Sequence, residues 1–134
     1  MADFFGFQSP FLDTIGIRAV SREPGRVVGE VALGPAHVNS FGLGHGGVTM
    51  ALLDTVLGAA ARFADPSTES VMTVDLHVAF IGPARGRIVG EGRVLRQAGG
   101  MVFCEGEARS EDGELVAKAV GTFKARVRPG EASG

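Results

Sequence analysis

Residues 46–64 form the one long stretch of this chain in which apolar residues do not alternate with polar ones, and they predict a single long helix. The stretch is apolar on nearly every side, and a helix without a polar face is normally buried. Asp54 lies in its middle, too far from the first turn to cap the helix. Because burying a carboxylate without a compensating partner is costly, we interpret Asp54 as a functional residue. The alternative is that Asp54 satisfies a backbone N–H at a contact between subunits.

Asp54 shares its row on the predicted helix with small residues. The members of that row are Gly47, Ala51, Gly58 and Ala61. Small side chains allow a ligand or another backbone to come close. We expect Met50, Leu53 and Leu57 to face a sheet instead.

The rest of the chain alternates apolar and polar residues with the two-residue period of half-buried strands. Turn residues such as Asp112-Gly113 separate the runs. The predicted strands are residues 15–21, 26–33, 70–81, 87–96, 101–109 and 115–127. We therefore expect one domain at residues 15–127, an N-terminal segment at 1–14 with a short helical turn after Ser9, and a flexible tail at 128–134.

One helix on one face of an antiparallel sheet is an α+β architecture. In a monomer, such a sheet leaves its edges and its second face poorly covered. We therefore expect the chain to form an oligomer.

The composition narrows the classes of partner. The chain has 134 residues and a net charge of −2 without a basic stripe, so nucleic acid is not an expected partner. No secretory signal opens the chain and the longest apolar run is too short for a bilayer, so we expect a cytoplasmic protein without a membrane partner. The single cysteine, Cys104, excludes an internal disulfide, and its alternating context predicts a buried structural thiol.

The loop before the helix carries hydrogen-bond donors. His45-Gly46-Gly47 leads directly into the predicted helix, whose first N–H groups have no partner within the helix. An array of N–H groups stabilises a developing oxyanion, and Asn39 can add a side-chain amide. A carboxylate, oxyanion donors and a histidine thus lie within sixteen residues, 39–54.

These residues resemble a known signature. Residues 39–47 (NSFGLGHGG), with Asp54 nine residues after the histidine, resemble the PaaI-type (phenylacetyl-CoA type) acyl-CoA thioesterases of the hotdog-fold superfamily. The resemblance continues through TVDL, FIGPA, GELVA and GTF at residues 73–76, 80–84, 113–117 and 121–123, and covers about residues 12–127. It implies a hotdog fold, in which a curved antiparallel sheet of five to six strands wraps a long central helix. It also implies edge-to-edge homodimers, often paired as homotetramers, with active sites at the dimer interface.

The resemblance implies a role for each matching residue. Asp54 is the catalytic carboxylate, as general base or nucleophile. The N–H of Gly46 or Gly47 polarises the thioester carbonyl, with help from Asn39. The products are the free acid and CoA, and CoA is part of the substrate, so no cofactor is expected.

Two further residues take supporting roles by the same resemblance. His45 lies near the thioester sulfur or orients the loop, and Thr73 holds the attacking water. We expect His77 on the same strand face as Thr73 and Asp75, as a packed or inter-subunit residue. The histidines and acids show no tight ligand spacing, so no metal site is expected.

The sequence defines the acyl group of the substrate less closely than it defines the reaction. The expected lining of the acyl pocket is Met50, Phe63, Met72 and Phe80. The turn at Gly99 and Gly100, or the arginines within residues 85–96, could meet the phosphates of CoA. Both aryl-acyl and medium-chain acyl groups fit this pattern.

Three alternatives remain at this point. A non-catalytic acyl-CoA binding module would tolerate loss of Asp54. A hotdog enoyl hydratase or dehydratase would carry a different histidine loop, with proline, in place of His45-Gly46-Gly47. A purely structural hotdog domain would need none of these residues.

Overall fold

The fold is one long helix on a six-stranded antiparallel sheet, as seen in a computed structural model that describes residues 3–129. The elements are β1 (Asp3–Phe4), β2 (Phe7–Gln8), α1 (Pro10–Ile15), β3 (Ile17–Glu23), β4 (Arg26–Ala32), α2 (Gly46–Phe63), β5 (Thr68–Phe80), β6 (Arg87–Ala98), β7 (Met101–Ser110) and β8 (Leu115–Val127). This order confirms the predicted α+β architecture. Residues 130–134 of the predicted tail lie outside the described part of the chain.

The sheet has two edge strands of unequal length. Its order is β3-β4-β6-β7-β8-β5, and every neighbouring pair is antiparallel. The edge strand β5 has 13 residues and pairs with β8 alone among the described strands. One full side of β5 is therefore open to pairing with another chain.

The helix α1 displaces the predicted start of the first strand. Ser9 caps α1 by accepting a hydrogen bond from the Leu12 N–H at 3.4 Å. Gly16 ends the helix in a left-handed conformation, φ 83°, which glycine adopts without strain. Ile15, predicted as a strand residue, therefore belongs to α1, and β3 starts at Ile17.

The helix α2 fills the inner face of the sheet and contacts β4, β5, β6, β7 and β8. Its fully buried side chains include Leu52, Leu53, Val56 and Leu57. The prediction was wrong for Met50, which is 42% exposed. The sheet covers one side of α2, so the apolar perimeter of this helix exceeds the area that the sheet can bury.

Gly92 on β6 permits the close contact between α2 and the sheet. A Cβ atom at this position would collide with the backbone oxygen of Val56 and lie 2.7 Å from the nitrogen of Leu57. The helix backbone thus rests directly on a strand that offers no side chain at this point.

A β-bulge interrupts the alternation of β5. Thr73 lies opposite Phe123 and Asp75 lies opposite Thr122, so Val74 is the extra residue. Thr73 consequently shares the inner face with the buried Phe123. His77 lies on the outer face, where it lines a small pocket with Glu105 and other polar side chains. The prediction that Thr73 and His77 share a face was therefore wrong, because the bulge shifts the alternation by one residue.

Cys104 lies in the core of the sheet, as predicted. Its side chain is buried, and this burial raises the pKa of the thiol to about 12. A thiol in such surroundings is inert at neutral pH. Within residues 3–129, neither helix has the length and apolar character needed to cross a membrane.

Candidate active site

Asp54 meets Thr73 across the gap between α2 and β5. The Thr73 hydroxyl donates a hydrogen bond to Oδ1 of Asp54 at 2.8 Å. The Asp54 side chain is half-buried, so the carboxylate is accessible from one side and not enclosed in the core. This bond engages Oδ1, and the Asp54 side chain lines the space beside the helix.

That space is a cavity of about 410 Å³ between α2, β5 and the N-terminal segment. The helix contributes Ala51, Asp54, Thr55, Gly58, Ala59 and Arg62, and the N-terminal segment contributes Phe4, Phe7, Ser9, Phe11 and Leu12. Ala51 and Gly58 thus form the small-residue surface predicted beside Asp54. Ala61 is buried in the core and is not part of that surface.

The aromatic wall of this cavity was not predicted from the sequence. Phe4, Phe7 and Phe11 come from residues that lie more than forty positions before Asp54 in the chain. Their spacing shows only that the segment is apolar. The contact with α2 depends on the tertiary path of β1, β2 and α1 across the helix.

The start of α2 presents two N–H groups with different environments. The Gly47 N–H donates to Nδ1 of His45 at 2.8 Å, so this donor is already engaged. Gly46 is the first residue of the helix, and its N–H has no acceptor within the helix. A Cβ at Gly46 would lie 3.2 Å from the ring of Phe80, so this aromatic ring packs beside the free donor.

The loop side chains hold the helix start in place. The His45 N–H donates to the carbonyl of His37 at 2.7 Å. Oδ1 of Asn39 accepts hydrogen bonds from the Phe41 N–H at 2.9 Å and from the Leu43 N–H at 3.2 Å. His45 and Asn39 therefore order the loop, and the Asn39 side chain uses its carbonyl for this purpose.

Gly46 and Asp54 are too far apart to act together within one subunit. They are eight residues apart on one continuous helix, which places them about 12 Å apart along the axis. A thioester carbonyl bound at the Gly46 N–H thus lies beyond the reach of the Asp54 of the same chain.

The remaining predicted residues lie away from Asp54 in the single chain. Phe63 packs against Phe7, with ring centroids 6.0 Å apart, and does not line the cavity. Met72 is 63% exposed. Gly99 and Gly100 form the exposed turn between β6 and β7, near the carboxyl end of α2. Across residues 3–129, no three His, Cys, Asp or Glu side chains gather in a metal-binding group.

The chain matches known proteins over most of its length. The family model described as "Thioesterase superfamily" matches residues 41–117, which include Asp54 and Thr73. The human protein named acyl-coenzyme A thioesterase 13 is 30% identical over 105 residues, which cover 76% of this chain and 74% of that protein.

Solved structures share the fold. A Bacillus halodurans protein crystallised with CoA is 27% identical, with a TM-score of 0.82 over 91% of this chain and 82% of the other. The Escherichia coli PaaI protein of the phenylacetic acid degradation operon is 18% identical, with a TM-score of 0.81 over 88% of this chain and 85% of the other. The family match and these likenesses agree with the helix and the sheet, so the chain belongs to the thioesterase superfamily and is a thioester hydrolase with the PaaI-type hotdog fold.

Proposed function

We propose that this protein hydrolyses an acyl-CoA, with an aryl-acyl or medium-chain acyl group, to the free acid and CoA. The observation that carries the proposal is the 2.8 Å hydrogen bond between Thr73 and Asp54 on the wall of an apolar cavity. The name of the human relative and the CoA in the Bacillus halodurans structure support CoA as the leaving group.

In the proposed reaction, Asp54 acts on the substrate side of the cavity. As general base, its free Oδ2 takes a proton from water, and the resulting hydroxide adds to the thioester carbonyl. As nucleophile, Oδ2 attacks that carbonyl itself and expels the CoA thiolate, and water then cleaves the resulting anhydride to the free acid and Asp54. Thr73 serves both routes, because its donated hydrogen bond holds Oδ1 and aims Oδ2.

We propose the Gly46 N–H as the oxyanion donor. The Gly47 N–H is occupied by Nδ1 of His45, which leaves the Gly46 N–H as the free donor at the helix start. A neutral His45 whose Nδ1 accepts a hydrogen bond carries its proton on Nε2. His45 can therefore donate a hydrogen bond from Nε2 to the thiolate as it leaves, without giving up the proton, and Asn39 keeps the loop in the required shape.

The distance between the two groups supports a site shared by two subunits. The Gly46 N–H of one chain must meet the Asp54 of another, since the two lie about 12 Å apart along one helix. The open edge of β5 suits this pairing, and it carries the exposed apolar side chains Val74 (52%) and Phe80 (54%). We propose a homodimer, or a homotetramer built from two such dimers.

In such a dimer, the remaining predicted residues could complete the substrate site. Met50, Met72 and Phe80 are exposed in the single chain and could contact the acyl group from the partner's side. The turn at Gly99 and Gly100 remains a candidate for the phosphates of CoA. We place the reaction in the cytoplasm, where an unpaired thiol such as Cys104 stays reduced.

The test is thiol release from phenylacetyl-CoA and octanoyl-CoA by the wild type and by Asp54→Asn. We expect the variant to keep its fold and oligomeric state and to lose at least ~100-fold in kcat. Asp75→Asn is the matched control, since Asp75 lies on the same strand as Thr73 but past the bulge. Undiminished turnover by Asp54→Asn would overturn the assignment, and CoA-ester binding without any turnover by the wild type would indicate a binding module.

A further inference from the structure

The cavity beside Asp54 extends along α2 to Arg62. Both side chains line the same space, and they are eight residues apart, about 12 Å along the helix axis. Between them the helix offers the small residues Gly58 and Ala59. This length is roughly that of a medium-chain acyl group extended from a thioester carbonyl beside Asp54.

Arg62 is a cation without a carboxylate partner in the described part of the chain. Its Nε donates to the backbone oxygen of Glu69 at 3.0 Å, and its guanidinium carbon lies 4.0 Å from the centroid of the Phe7 ring. No Asp or Glu oxygen of residues 3–129 lies within 4.0 Å of its nitrogens. Its terminal nitrogens thus keep their hydrogen-bonding capacity for another group.

The surroundings of Arg62 favour an anion. Burial lowers the pKa of the Arg62 guanidinium, and the nearby Arg128 and Arg22 act in the same direction, with Glu69 opposing them. Three arginines against one glutamate leave the surroundings of Arg62 with a net positive charge, which attracts a negative group. A guanidinium held on an aromatic ring presents its nitrogens in a fixed plane, which suits the two oxygens of a carboxylate.

We propose that the acyl group of the substrate ends in a carboxylate, and that Arg62 binds this carboxylate at the end of the cavity opposite Asp54. The inference rests on the proposed function, since it uses the same cavity for the acyl group. The substrate class is then an ω-carboxyacyl-CoA of medium length. The apolar walls contact the methylene chain, the thioester end lies beside Asp54, and the terminal carboxylate binds Arg62.

The experiment compares suberyl-CoA with octanoyl-CoA, which have acyl chains of equal length and differ in the terminal carboxylate. For the wild type we expect kcat/KM to be at least about tenfold higher for suberyl-CoA. Arg62→Gln should lose that preference, because its kcat/KM should fall for suberyl-CoA and change little for octanoyl-CoA. Arg18→Gln is the control, because Arg18 is an exposed arginine that pairs with Glu30 and does not line the cavity.

Several outcomes would overturn the inference. If Arg62→Gln lowers kcat/KM equally for both esters, Arg62 contacts the CoA phosphates or packs the N-terminal segment, and it does not bind a carboxylate of the acyl group. A wild type that prefers the octanoyl ester would reject it directly. If Arg62→Gln does not fold, inhibition of the wild type decides, since suberate should inhibit more strongly than octanoate.

The inference and the proposed function can fail separately. Hydrolysis of both esters without preference would leave the hydrolase proposal intact and reject the carboxylate site. If the wild type hydrolyses neither of these esters nor phenylacetyl-CoA, the hydrolase proposal fails. Calorimetric affinities for the two CoA esters then decide the inference, with tighter binding of the suberyl ester in favour and equal binding against.

Discussion

The Thr73 hydroxyl donates a 2.8 Å hydrogen bond to Oδ1 of Asp54 and so joins the edge strand β5 to the middle of α2. A neutral donor fixes the carboxylate without neutralising its charge, in contrast to an arginine or lysine partner. The carboxylate keeps one free oxygen for water or substrate, which is the property that the proposed reaction needs.

Replacing Thr73 tests this positioning. Thr73→Val removes the hydroxyl and keeps the shape, so we expect kcat for an acyl-CoA to fall by about tenfold with KM little changed. Thr73→Ser keeps the donor and should stay within about twofold of the wild type. Steady-state thiol release measures both variants. Equal activity of the valine and serine variants would show that the hydrogen bond does not serve the reaction.

Gly46→Pro tests the proposed oxyanion donor, because proline removes the N–H at the first position of a helix, where it fits well. His45 already has φ −62° and ψ 138°, the extended conformation that precedes proline. We expect at least ~100-fold loss of kcat. Gly46→Ala makes a similar contact with Phe80 but keeps the N–H, so it should remain much more active.

Mixing two inactive variants tests whether the site is shared between subunits. In a mixed dimer of Asp54→Asn and Gly46→Pro chains, one of the two sites has both groups intact. Random mixing should therefore restore about one quarter of the wild-type activity. Asp54→Asn mixed with Thr73→Val is the control, since both changes damage the same half of the site and should not complement. No recovery in the first mixture would place Gly46 and Asp54 in separate functions.

The Glu107 carboxylate makes stability depend on pH. Arg93 donates to both of its oxygens, at 3.0 and 2.8 Å, and these bonds hold the pKa of Glu107 below its ordinary value. Because the pKa of Glu107 is lower in the folded state, its ionised form stabilises the protein at pH values above the ordinary glutamate pKa of about 4.3. This contribution is lost as the pH falls through the folded-state pKa of Glu107. Glu107→Gln should reduce the free energy of unfolding at pH 7 by about 1–3 kcal/mol.

Urea unfolding at several pH values measures this effect. The difference between the wild type and Glu107→Gln should shrink steadily as the pH falls below about 5. Glu105→Gln is the control, because Glu105 is more exposed and lies 3.5 Å from Arg93. A difference that stays constant down to pH 3 would contradict the assignment.

Gly92 should tolerate no side chain, since the backbone of α2 occupies the space of its Cβ. We expect Gly92→Ala to lower the free energy of unfolding by about 1–3 kcal/mol, as overpacking does in other cores. Gly34→Ala is the matched control, because its nearest neighbour would be a side-chain atom at 3.7 Å. Thermal unfolding of both variants measures the contrast, and equal melting temperatures would show that α2 can shift away from β6.

The fold could be predicted from the sequence because its signals are local. Alternating residues, turns at Gly-Pro and Asp-Gly steps and one non-alternating stretch place six strands and α2 to within a few residues. The predicted start of β3 was wrong because Ile15 fits both the alternating pattern of a strand and the last position of a helix. The prediction that Met50 faces the sheet was wrong because helical spacing does not reveal how much of a helix a sheet covers.

The candidate site could be predicted in part. The meeting of Asp54 and Thr73 agrees with the grouping that the family signature implied. The cavity wall of phenylalanines and Arg62 could not be predicted, since it depends on where the N-terminal segment crosses α2. The positions of Gly46, Asn39 and Asp54 across subunits stay a prediction, because that contact belongs to two chains.

The bulge at Val74 divides β5 into two segments, and the alternation of side chains between the two faces of the sheet shifts by one residue from one segment to the next. The first segment presents Val71 and Thr73 to the cavity, and the second packs Leu76 and Val78 against the core. One inserted residue thus separates two requirements on a single strand. A substitution before the bulge alters the cavity wall, while a substitution after it alters the packing of the core.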